Sequence, residues 1–330
     1  MLFKLAVVAE HRLNPTEGFR VVAGALTEGL RRAGHRIDLV EPKQLRGAMA
    51  RWLVNPPDAV IFAHGPGRGT VVASALIRRL MKTKVIWIAT RPDLAGLPSW
   101  LQSRRTAHGV ICNRVRDDLQ SVAIDAEFVQ QYIGIAPARV AAGGDSAHPW
   151  PDLAAEGRLV VLHVGHLRSN RGLEVLARAK RELPDKIDVV VQSSPTFEPD
   201  PEVVDDLRSS GVLIRHGYQA DLGSLYRSAD LYAFPTRPGS GGAIDLPLGV
   251  LEALASGTPV LSTPFGALEA ALSETRGVIF ARQEKFVDVL RRLTDGSERL
   301  QRPYSFPERL DVARTVEASQ SLLEALCGKS

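Results

Sequence analysis

Short runs of apolar, largely β-branched residues alternate with helical segments along the whole chain. Strands that are apolar almost throughout favour a parallel sheet that is covered by helices on both faces. The alternation occurs twice, and a stretch rich in Gly, Ser, His and Pro interrupts it around residues 143–151. The pattern therefore predicts an α/β protein with two doubly wound, Rossmann-like parallel-sheet domains in tandem.

The predicted domain organisation follows from this interruption. An N-terminal domain is expected over residues 1–150 and a second over 151–306, and an amphipathic helix over 307–330 is expected to pack back near the N-terminal domain. Ligands of doubly wound sheets bind beyond the carboxyl ends of the strands. Each domain is thus expected to present its strand-end loops to a cleft between the two.

Cysteine content and hydropathy indicate the cellular location to expect for the protein. The two cysteines, Cys112 and Cys327, lack metal-type spacing, and no run approaches the roughly 18 apolar residues of a membrane span. The first ten residues resemble a buried strand and are followed at once by charged residues, unlike a signal peptide. We predict a cytoplasmic location and no metal site.

Positive charge is concentrated in the first part of the chain. Residues 1–145 hold 20 Lys and Arg against 12 Asp and Glu, whereas the remainder is acidic overall. A basic half suggests an anionic partner such as a membrane surface or a phosphorylated or lipid-linked acceptor, and no nucleic acid is predicted. The alternative is an ordinary solvated surface.

The segment Asp245–Gly266 contains one carboxylate on an otherwise apolar helix. Pro247 and Gly257 bracket this helix, and Glu252 is its only charged residue. An ionised carboxylate in a buried helix needs a cation, backbone donors or ligand hydroxyls. Glu252 is therefore either a ligand-binding residue or half of an internal ion pair with an arginine.

The start of the same helix predicts an anion site. A Gly-rich loop leads into it, and the free N–H groups and positive dipole end of a helix terminus suit a phosphate. A carboxylate one turn further along, placed to accept from ribose hydroxyls, matches a nucleoside diphosphate. The predicted donor-binding residues here are Leu246, Pro247, Leu248, Gly249 and Glu252.

A second loop, between Gly165 and Gly172, follows a predicted strand and precedes a predicted helix. It carries Arg168 and Arg171, and guanidinium groups at the carboxyl end of a strand suit phosphate. The alternative is a pair of solvated loop arginines.

The two loops resemble the retaining GT-B glycosyltransferases of family 4, the group 1 glycosyl transferases. That family has a strand followed by Gly-Arg-Leu, three residues and Lys-Gly, and this chain has Gly165-His166-Leu167, three residues and Arg171-Gly172. The segments 216–236 and 257–260 also follow the family pattern. Residues 14–19 stand where the family has its Gly-rich acceptor-side loop.

The resemblance implies a hexosyltransferase that moves a sugar from a nucleoside diphosphate sugar to an acceptor with retention, without metal or other cofactor. Arg171 replaces the family lysine that contacts the diphosphate, and Glu252 matches the glutamate that holds the ribose. Gly165, His166 and Arg168 would lie on the donor side. Gly18, Phe19, Thr90 and Arg91 would lie on the acceptor side.

Three positions depart from the family pattern. His166 stands in place of an arginine, and Arg168 is the candidate to supply the missing charge. Ile244 stands in place of the sugar-contacting glutamate, so the adjacent Asp245 is the candidate for that role. Thr90 stands where the family often has a histidine, and His64 is the nearest alternative, which makes Arg171, His64 and Asp245 the predicted catalytic residues.

Other functions remain open from the sequence. The chain could be a nucleotide-sugar-binding protein that lost turnover, or a nucleotide-sugar epimerase, although no acid/base carboxylate set for the latter is recognisable. A nicotinamide-dependent dehydrogenase is disfavoured because no G-x-G-x-x-G follows the first strand.

Overall fold

The computed structural model describes residues 1–10, 18–95, 97–101, 104–141, 149–150, 153, 157–219, 221–239, 241, 243–303 and 305–328. They form two compact units: unit 1 comprises Met1–Ala136 with Glu308–Ser330, and unit 2 comprises Pro137–Pro307. The division lies at Ala136 rather than at the predicted residue 150. The reason is that a short helix, Ala138–Ala141, packs against helices of unit 2.

Unit 1 is built on one parallel sheet. Its described residues form six strands in the spatial order β2-β1-β3-β4-β5-β6. Leu5 of β1 lies opposite Ile37 on one side and Ala59 on the other, which fixes the register of the first three strands. The strands are β1 (Lys4–Val8), β2 (Arg36–Val40), β3 (Ala59–Phe62), β4 (Lys84–Ala89), β5 (Gly109–Cys112) and β6 (Glu127–Gln130).

Helices cover this sheet because their apolar stripes match the buried strands. Those described before residue 136 are α1 (Gly18–Arg32), α2 (Leu45–Val54), α3 (Arg68–Leu80) and α4 (Asp117–Val122). The C-terminal segment returns to the same unit, where Val312–Cys327 packs against α1 and β5. Its Leu322 side chain lies so close to Gly109 that a Cβ there would be only 2.6 Å away.

Unit 2 repeats the architecture with a second parallel sheet. Its described residues form six strands in the order β12-β11-β10-β7-β8-β9. The strands are β7 (Leu159–Gly165), β8 (Ile187–Ser193), β9 (Leu213–His216), β10 (Leu231–Phe234), β11 (Val260–Ser262) and β12 (Val278–Phe280). Two doubly wound parallel-sheet units, as predicted, are therefore confirmed.

The helices of unit 2 include the one that carries Glu252. They are α5 (Ala138–Ala141), α6 (Glu174–Glu182), α7 (Pro201–Ser209), α8 (Leu222–Arg227), α9 (Leu248–Ala255), α10 (Leu268–Leu272) and α11 (Phe286–Thr294), and the C-terminal helix Val312–Cys327 of unit 1 is α12. Pro247 precedes α9 directly, in agreement with the predicted helix start.

In the described part of the chain, no helix combines the length and apolarity that crossing a membrane requires. Cys112 and Cys327 are both free thiols.

Candidate functional site

In the sheet of unit 2, the strand order reverses between the neighbouring strands β7 and β10. The chain begins in the middle with β7, adds β8 and β9 on one side, and then adds β10, β11 and β12 on the other. In such sheets, the crevice beyond the carboxyl ends of the two central strands is the usual ligand site. The loop Gly165–Gly172 follows β7 and the loop before α9 follows β10, so both predicted donor loops border this crevice.

The Gly165–Gly172 loop is held against the end of β10. Gly172 has a φ of 72°, and a Cβ there would lie 2.4 Å from the carbonyl oxygen of Pro235. The Thr236 hydroxyl donates to the Arg171 carbonyl at 3.3 Å, and Gln283 Nε2 donates to the Pro235 carbonyl at 2.7 Å. These contacts fix the backbone from which the Arg171 side chain extends.

Arg171 closes a 3-10 turn, Ser169–Arg171, and its side chain is partly buried. Its charge acts on two buried rings at the crevice floor, those of His163 and Tyr232. Burial lowers the pKa of His163 to about 4 and raises the pKa of Tyr232, so both rings are neutral near pH 7. Arg171 is thus a cation near two uncharged rings.

The other loop arginine makes a different contact. Arg168 pairs with Asp200 at 3.0 Å, and the Ser169 N–H donates to the same carboxylate at 2.8 Å. The Ser169 amide and the Arg168 charge lower the pKa of Asp200. Arg168 therefore fastens the loop to the start of α7, and the structure does not direct it into the crevice.

His166 is buried at the edge of the crevice, and its ring meets the ring of Phe197 edge-on at 4.7 Å. Phe197 itself is half exposed. An edge-to-face arrangement of this kind is favourable between aromatic rings.

The start of α9 presents backbone donors at the same edge. The first helical hydrogen bond runs from the Val250 N–H to the Pro247 carbonyl at 3.2 Å, so the N–H groups of Leu248 and Gly249 precede it. Gly249 allows this close packing, because a Cβ there would lie 2.3 Å from the Tyr232 hydroxyl oxygen. The floor residue Tyr232 thereby positions the helix terminus.

The residues just before α9 differ in exposure. Leu246, Pro247 and Ile244 are buried, whereas Asp245 is half-buried. The Asp245 carbonyl accepts from the Ala267 N–H at 2.9 Å, which joins this loop to the segment after β11. An apolar, buried Ile244 supplies no polar contact for a sugar, and Asp245 is the carboxylate nearest to it in sequence.

Glu252 forms an internal ion pair, one of the two possibilities the sequence left open. Its Oε1 accepts from Arg139 Nε at 2.8 Å and its Oε2 accepts from the Tyr226 hydroxyl at 2.9 Å. The Glu252 side chain is 7% exposed and that of Arg139 is 24% exposed. Arg139 lies on α5, in the segment that the sequence assigned to the first domain.

The composition of this network has a chemical consequence. Burial, followed by the Glu252 charge, raises the pKa of Tyr226 well above its usual value, so Tyr226 remains a hydrogen-bond donor. Each carboxylate oxygen has two acceptor positions. Glu252 thus retains acceptor capacity beyond its two protein partners.

The second unit also matches a known family by sequence. Residues 158–295 match the model of the family described as glycosyl transferases group 1. We call these residues the group 1 domain after this similarity. It contains β7 to β12, and hence both donor loops.

A curated relative of the group 1 domain is the mannosylfructose-phosphate synthase of Agrobacterium fabrum. It is 32% identical over 140 residues, which cover 38% of this chain and 30% of that protein. The match thus spans less than a third of the relative's length.

Solved structures resemble the chain over nearly its whole length, at low identity. Sucrose-phosphate synthase from Thermosynechococcus elongatus has a TM-score of 0.70 at 14% identity and covers 99% of this chain and 96% of its own. A glycosyltransferase from Rickettsia africae has a TM-score of 0.72 at 10% identity, and the match covers 99% of each chain. HepE of Anabaena, solved with UDP and glucose, has a TM-score of 0.63 at 12% identity. The match covers 98% of this chain and 95% of HepE. The fold is therefore GT-B, as predicted.

The predicted acceptor-side residues belong to unit 1, outside the sequence range 158–295. The sheet of unit 1 changes direction between β1 and β3, and His64 follows β3 closely. Burial lowers the pKa of His64, and the Glu10 charge opposes this shift. Arg20 pairs with Glu10 at 3.0 Å, and these two residues near His64 were not singled out from the sequence.

The other predicted acceptor-side residues border the same sheet edge or are only partly described. Thr90 is buried directly after β4, and its hydroxyl has no hydrogen-bond partner among the described residues. Arg91 is exposed, and its N–H donates to the Gly65 carbonyl at 3.3 Å. Gly18 and Phe19 begin α1, but their side-chain surroundings and residues 14–17 lie outside the described part.

The described residues contain no group of three or more His, Cys, Asp or Glu side chains arranged to hold a metal ion.

Proposed function

We propose that this chain transfers a sugar from a nucleoside diphosphate sugar to an acceptor. One observation carries the proposal: the Arg171 loop and the start of α9 border the point where the sheet of unit 2 changes direction. A cation and a helix N-terminus at one crevice suit a diphosphate. The group 1 family match of residues 158–295 supports the same chemistry.

In the proposed reaction, the oxygen of an acceptor hydroxyl bonds to the anomeric carbon and gives its proton to the departing diphosphate. The bond between that carbon and the diphosphate oxygen breaks, and its electron pair stays on the diphosphate. Arg171 and the N–H groups of Leu248 and Gly249 stabilise that charge. These groups supply positive potential without a metal ion, and transfer with retention is part of the proposal. Gly165, His166, Leu246 and Pro247 would shape the donor pocket.

Two further residues have proposed roles close to the sugar. Asp245 would accept from sugar hydroxyls in place of the apolar Ile244. His64, whose pKa is lowered by burial, would offer a neutral imidazole to a reacting hydroxyl. Gly18, Phe19, Thr90 and Arg91 stay proposed acceptor-side residues.

The donor proposal begins with uridine nucleotides. HepE of Anabaena was solved with UDP-glucose, and an E. coli trehalose-6-phosphate protein of similar fold was solved with UDP-2-fluoro glucose. Glu252, with its remaining acceptor positions, would hold the ribose. The acceptor is proposed to be anionic or lipid-linked, because residues 1–145 carry excess positive charge, and the proposed setting is the cytoplasm.

The test is binding followed by turnover. UDP should raise the melting temperature of the full chain, and Arg171→Ala should weaken binding by about tenfold to a hundredfold, the usual value of a charged hydrogen bond. Arg181→Ala is the matched control, because Arg181 is an exposed arginine of unit 2 that pairs with Asp206. If no nucleoside diphosphate stabilises the protein, or both variants bind equally, the donor site is wrong.

A second candidate function rests on Ile244. A donor pocket with a buried isoleucine at the sugar-contacting position could bind a nucleotide sugar without transferring the sugar. In that case UDP-sugars would bind, yet no UDP would be released across a panel of sugar-phosphate and lipid-linked acceptors. Slow release of UDP from one donor would instead favour the transferase.

A further inference from the structure

A groove on unit 1 lies apart from all of the candidate site residues. It has a volume of about 660 Å³, within the range of small-molecule sites. Helix α3 forms one wall, and the segment around the 3-10 turn Ser99–Leu101 forms the other. Its lining consists of Val72, Ala75, Leu76, Arg78, Arg79, Trp100, Leu101, Arg104, Arg105 and Ile124. We call it the arginine groove.

The arginine groove extends toward the amino edge of the sheet. Arg78 and Arg79 lie in the last turn of α3, Arg104 and Arg105 precede β5, and Ile124 precedes β6. Because all strands of this sheet are parallel, His64 and Thr90 lie at the opposite, carboxyl edge. The groove is therefore separate from the proposed acceptor side.

Three large apolar side chains in the groove are exposed to solvent. The exposed fractions are 59% for Trp100, 55% for Ile124 and 44% for Leu76. Single exposed apolar residues are common, but three in one concave surface indicate a surface that contacts an apolar ligand. Tryptophan is well suited to a boundary with one apolar and one wet side.

The arginines divide into a structural one and exposed ones. Arg78 binds both oxygens of Asp125, at 3.1 and 2.9 Å, and its side chain is only 15% exposed. It holds the groove wall together. Arg105 is 74% exposed, and its Nε lies 3.7 Å from the same carboxylate, which is a longer contact than those of Arg78.

Two other arginines have no carboxylate partner in the part of the chain that the structure describes. Arg79 is exposed on α3, and Arg104 donates from Nε to the Trp100 carbonyl at 2.7 Å. The second contact holds the Arg104 guanidinium at the backbone of Trp100, the residue that carries the exposed indole. The groove thus combines an apolar floor with uncompensated positive charge at its rim.

We propose that the arginine groove binds an anionic phospholipid at a membrane surface. The phosphate would pair with Arg79, Arg104 and Arg105, and the upper part of an acyl chain would cover Trp100, Leu76 and Ile124. A second copy of this chain is disfavoured as the occupant, because a symmetric contact would bring two basic rims together. The proposal does not depend on the transferase activity.

The test uses the full chain with vesicles of phosphatidylglycerol, and with phosphatidylcholine as the neutral comparison. Among the four tryptophans, Trp52, Trp87 and Trp150 are at most 3% exposed, so a change in emission reports on Trp100. Phosphatidylglycerol should shift the emission to the blue, and phosphatidylcholine should not. Salt at about 0.5 M, where screening acts within a few ångströms, should weaken the binding.

Matched charge-reversal variants decide where the lipid binds. Arg79→Glu/Arg104→Glu should weaken vesicle binding by about tenfold or more, since each basic residue near an anionic membrane contributes about fivefold. Arg31→Glu/Arg46→Glu makes the same charge change at exposed arginines of unit 1 outside the groove, and it should bind nearly as the unaltered chain does. Unchanged melting temperatures would confirm that both variants fold.

Four results would overturn the proposal. Equal losses in both double variants would mean a diffuse basic surface, and no binding to phosphatidylglycerol would mean no lipid site. A blue shift that depends on protein concentration without lipid, together with dimers in sedimentation, would assign the groove to a second copy. Binding of dispersed short-chain phosphatidylglycerol without binding of vesicles would indicate a soluble anionic ligand.

Discussion

At the scale of single residues, Glu252 shows what the local sequence can predict and what it cannot. A lone carboxylate on an apolar helix requires a partner, and this requirement is visible in the sequence alone. The identity of the partner is not, because Arg139 lies 113 positions earlier and Tyr226 lies 26 positions earlier. Their meeting depends on how α5 and α8 pack on α9, which no spacing rule reveals.

The Glu252 network makes a prediction about stability. Glu252→Ala leaves the guanidinium of Arg139 and the hydroxyl of Tyr226 without their acceptor, and it should lower the free energy of unfolding of unit 2 by about 3 kcal/mol. Urea denaturation with a separate fit to each transition measures this change. Glu174→Ala is the control, because it removes an exposed pair with Arg237 and should cost about 1 kcal/mol or less.

The double variant Glu252→Ala/Arg139→Met distinguishes lost pairing from lost packing. Removing both charges leaves neither one unpaired, so the double variant should be more stable than Glu252→Ala alone. A Glu252→Ala variant as stable as Glu174→Ala would contradict the prediction.

At the scale of helices and strands, most elements could be predicted, but β6, α2 and the short helix α5 could not. The strands β1, β3 and β8 are buried and largely apolar runs, which a local pattern identifies. By contrast, β6 at the sheet edge has the mixed sequence EFVQ with no fully buried residue, and α2 buries only Ala48 and Trp52. Both form because neighbouring elements provide pairing or cover, and a local pattern does not record this.

For the candidate site, the sequence indicated which loops take part but not how they come together. Strand-end loops were identifiable from Gly165, Gly172 and Pro247, since each marks a change of element. The sequence did not show that β7 and β10 are neighbours, because strand order is a tertiary property. It also did not show that Arg168, in the loop after β7, pairs with Asp200 at the start of α7.

The turn at Gly172 offers a prediction at this scale. Gly172→Ala combines a strained left-handed backbone with a clash against the Pro235 carbonyl, so it should destabilise unit 2 by about 2 to 5 kcal/mol. Gly257→Ala is the matched control: its φ is 79°, but no atom lies within 4 Å of the position that an added Cβ would take. It should show only the backbone cost, about 1 to 2 kcal/mol.

Thermal melting of the two alanine variants measures the comparison. Equal losses of stability would mean that the loop moves freely away from Pro235, and the rigid backbone inferred for the Arg171 loop would then be wrong.

At the scale of the whole molecule, the chain crosses between the units twice. Unit 2 is continuous from Pro137 to Pro307, whereas unit 1 is completed by Glu308–Ser330. Helix α12 buries Leu322 and Leu323 in unit 1, and the preceding Leu310 lies against Gly134. The C-terminal segment is thus part of the first core.

Fragments should reflect this arrangement. Residues 137–307 should fold alone with a cooperative melting transition, whereas 1–136 should not, because it lacks the apolar side chains of α12. A fragment of 151–307 should melt at a lower temperature than 137–307, because it lacks Arg139 and leaves the Glu252 carboxylate without its cation. Near-ultraviolet circular dichroism measures all three, and a cooperatively folding 1–136 would contradict the prediction.

The return of the chain to unit 1 also sets an order of events during synthesis on the ribosome. Translation proceeds at about 5 to 20 residues per second, so roughly 10 to 40 seconds separate Ala136 from the residues that complete its core. Unit 2 is fully made during that interval. The part of the protein encoded first is therefore finished last, and until then the faces of α1 and β5 that α12 covers are open to chaperones.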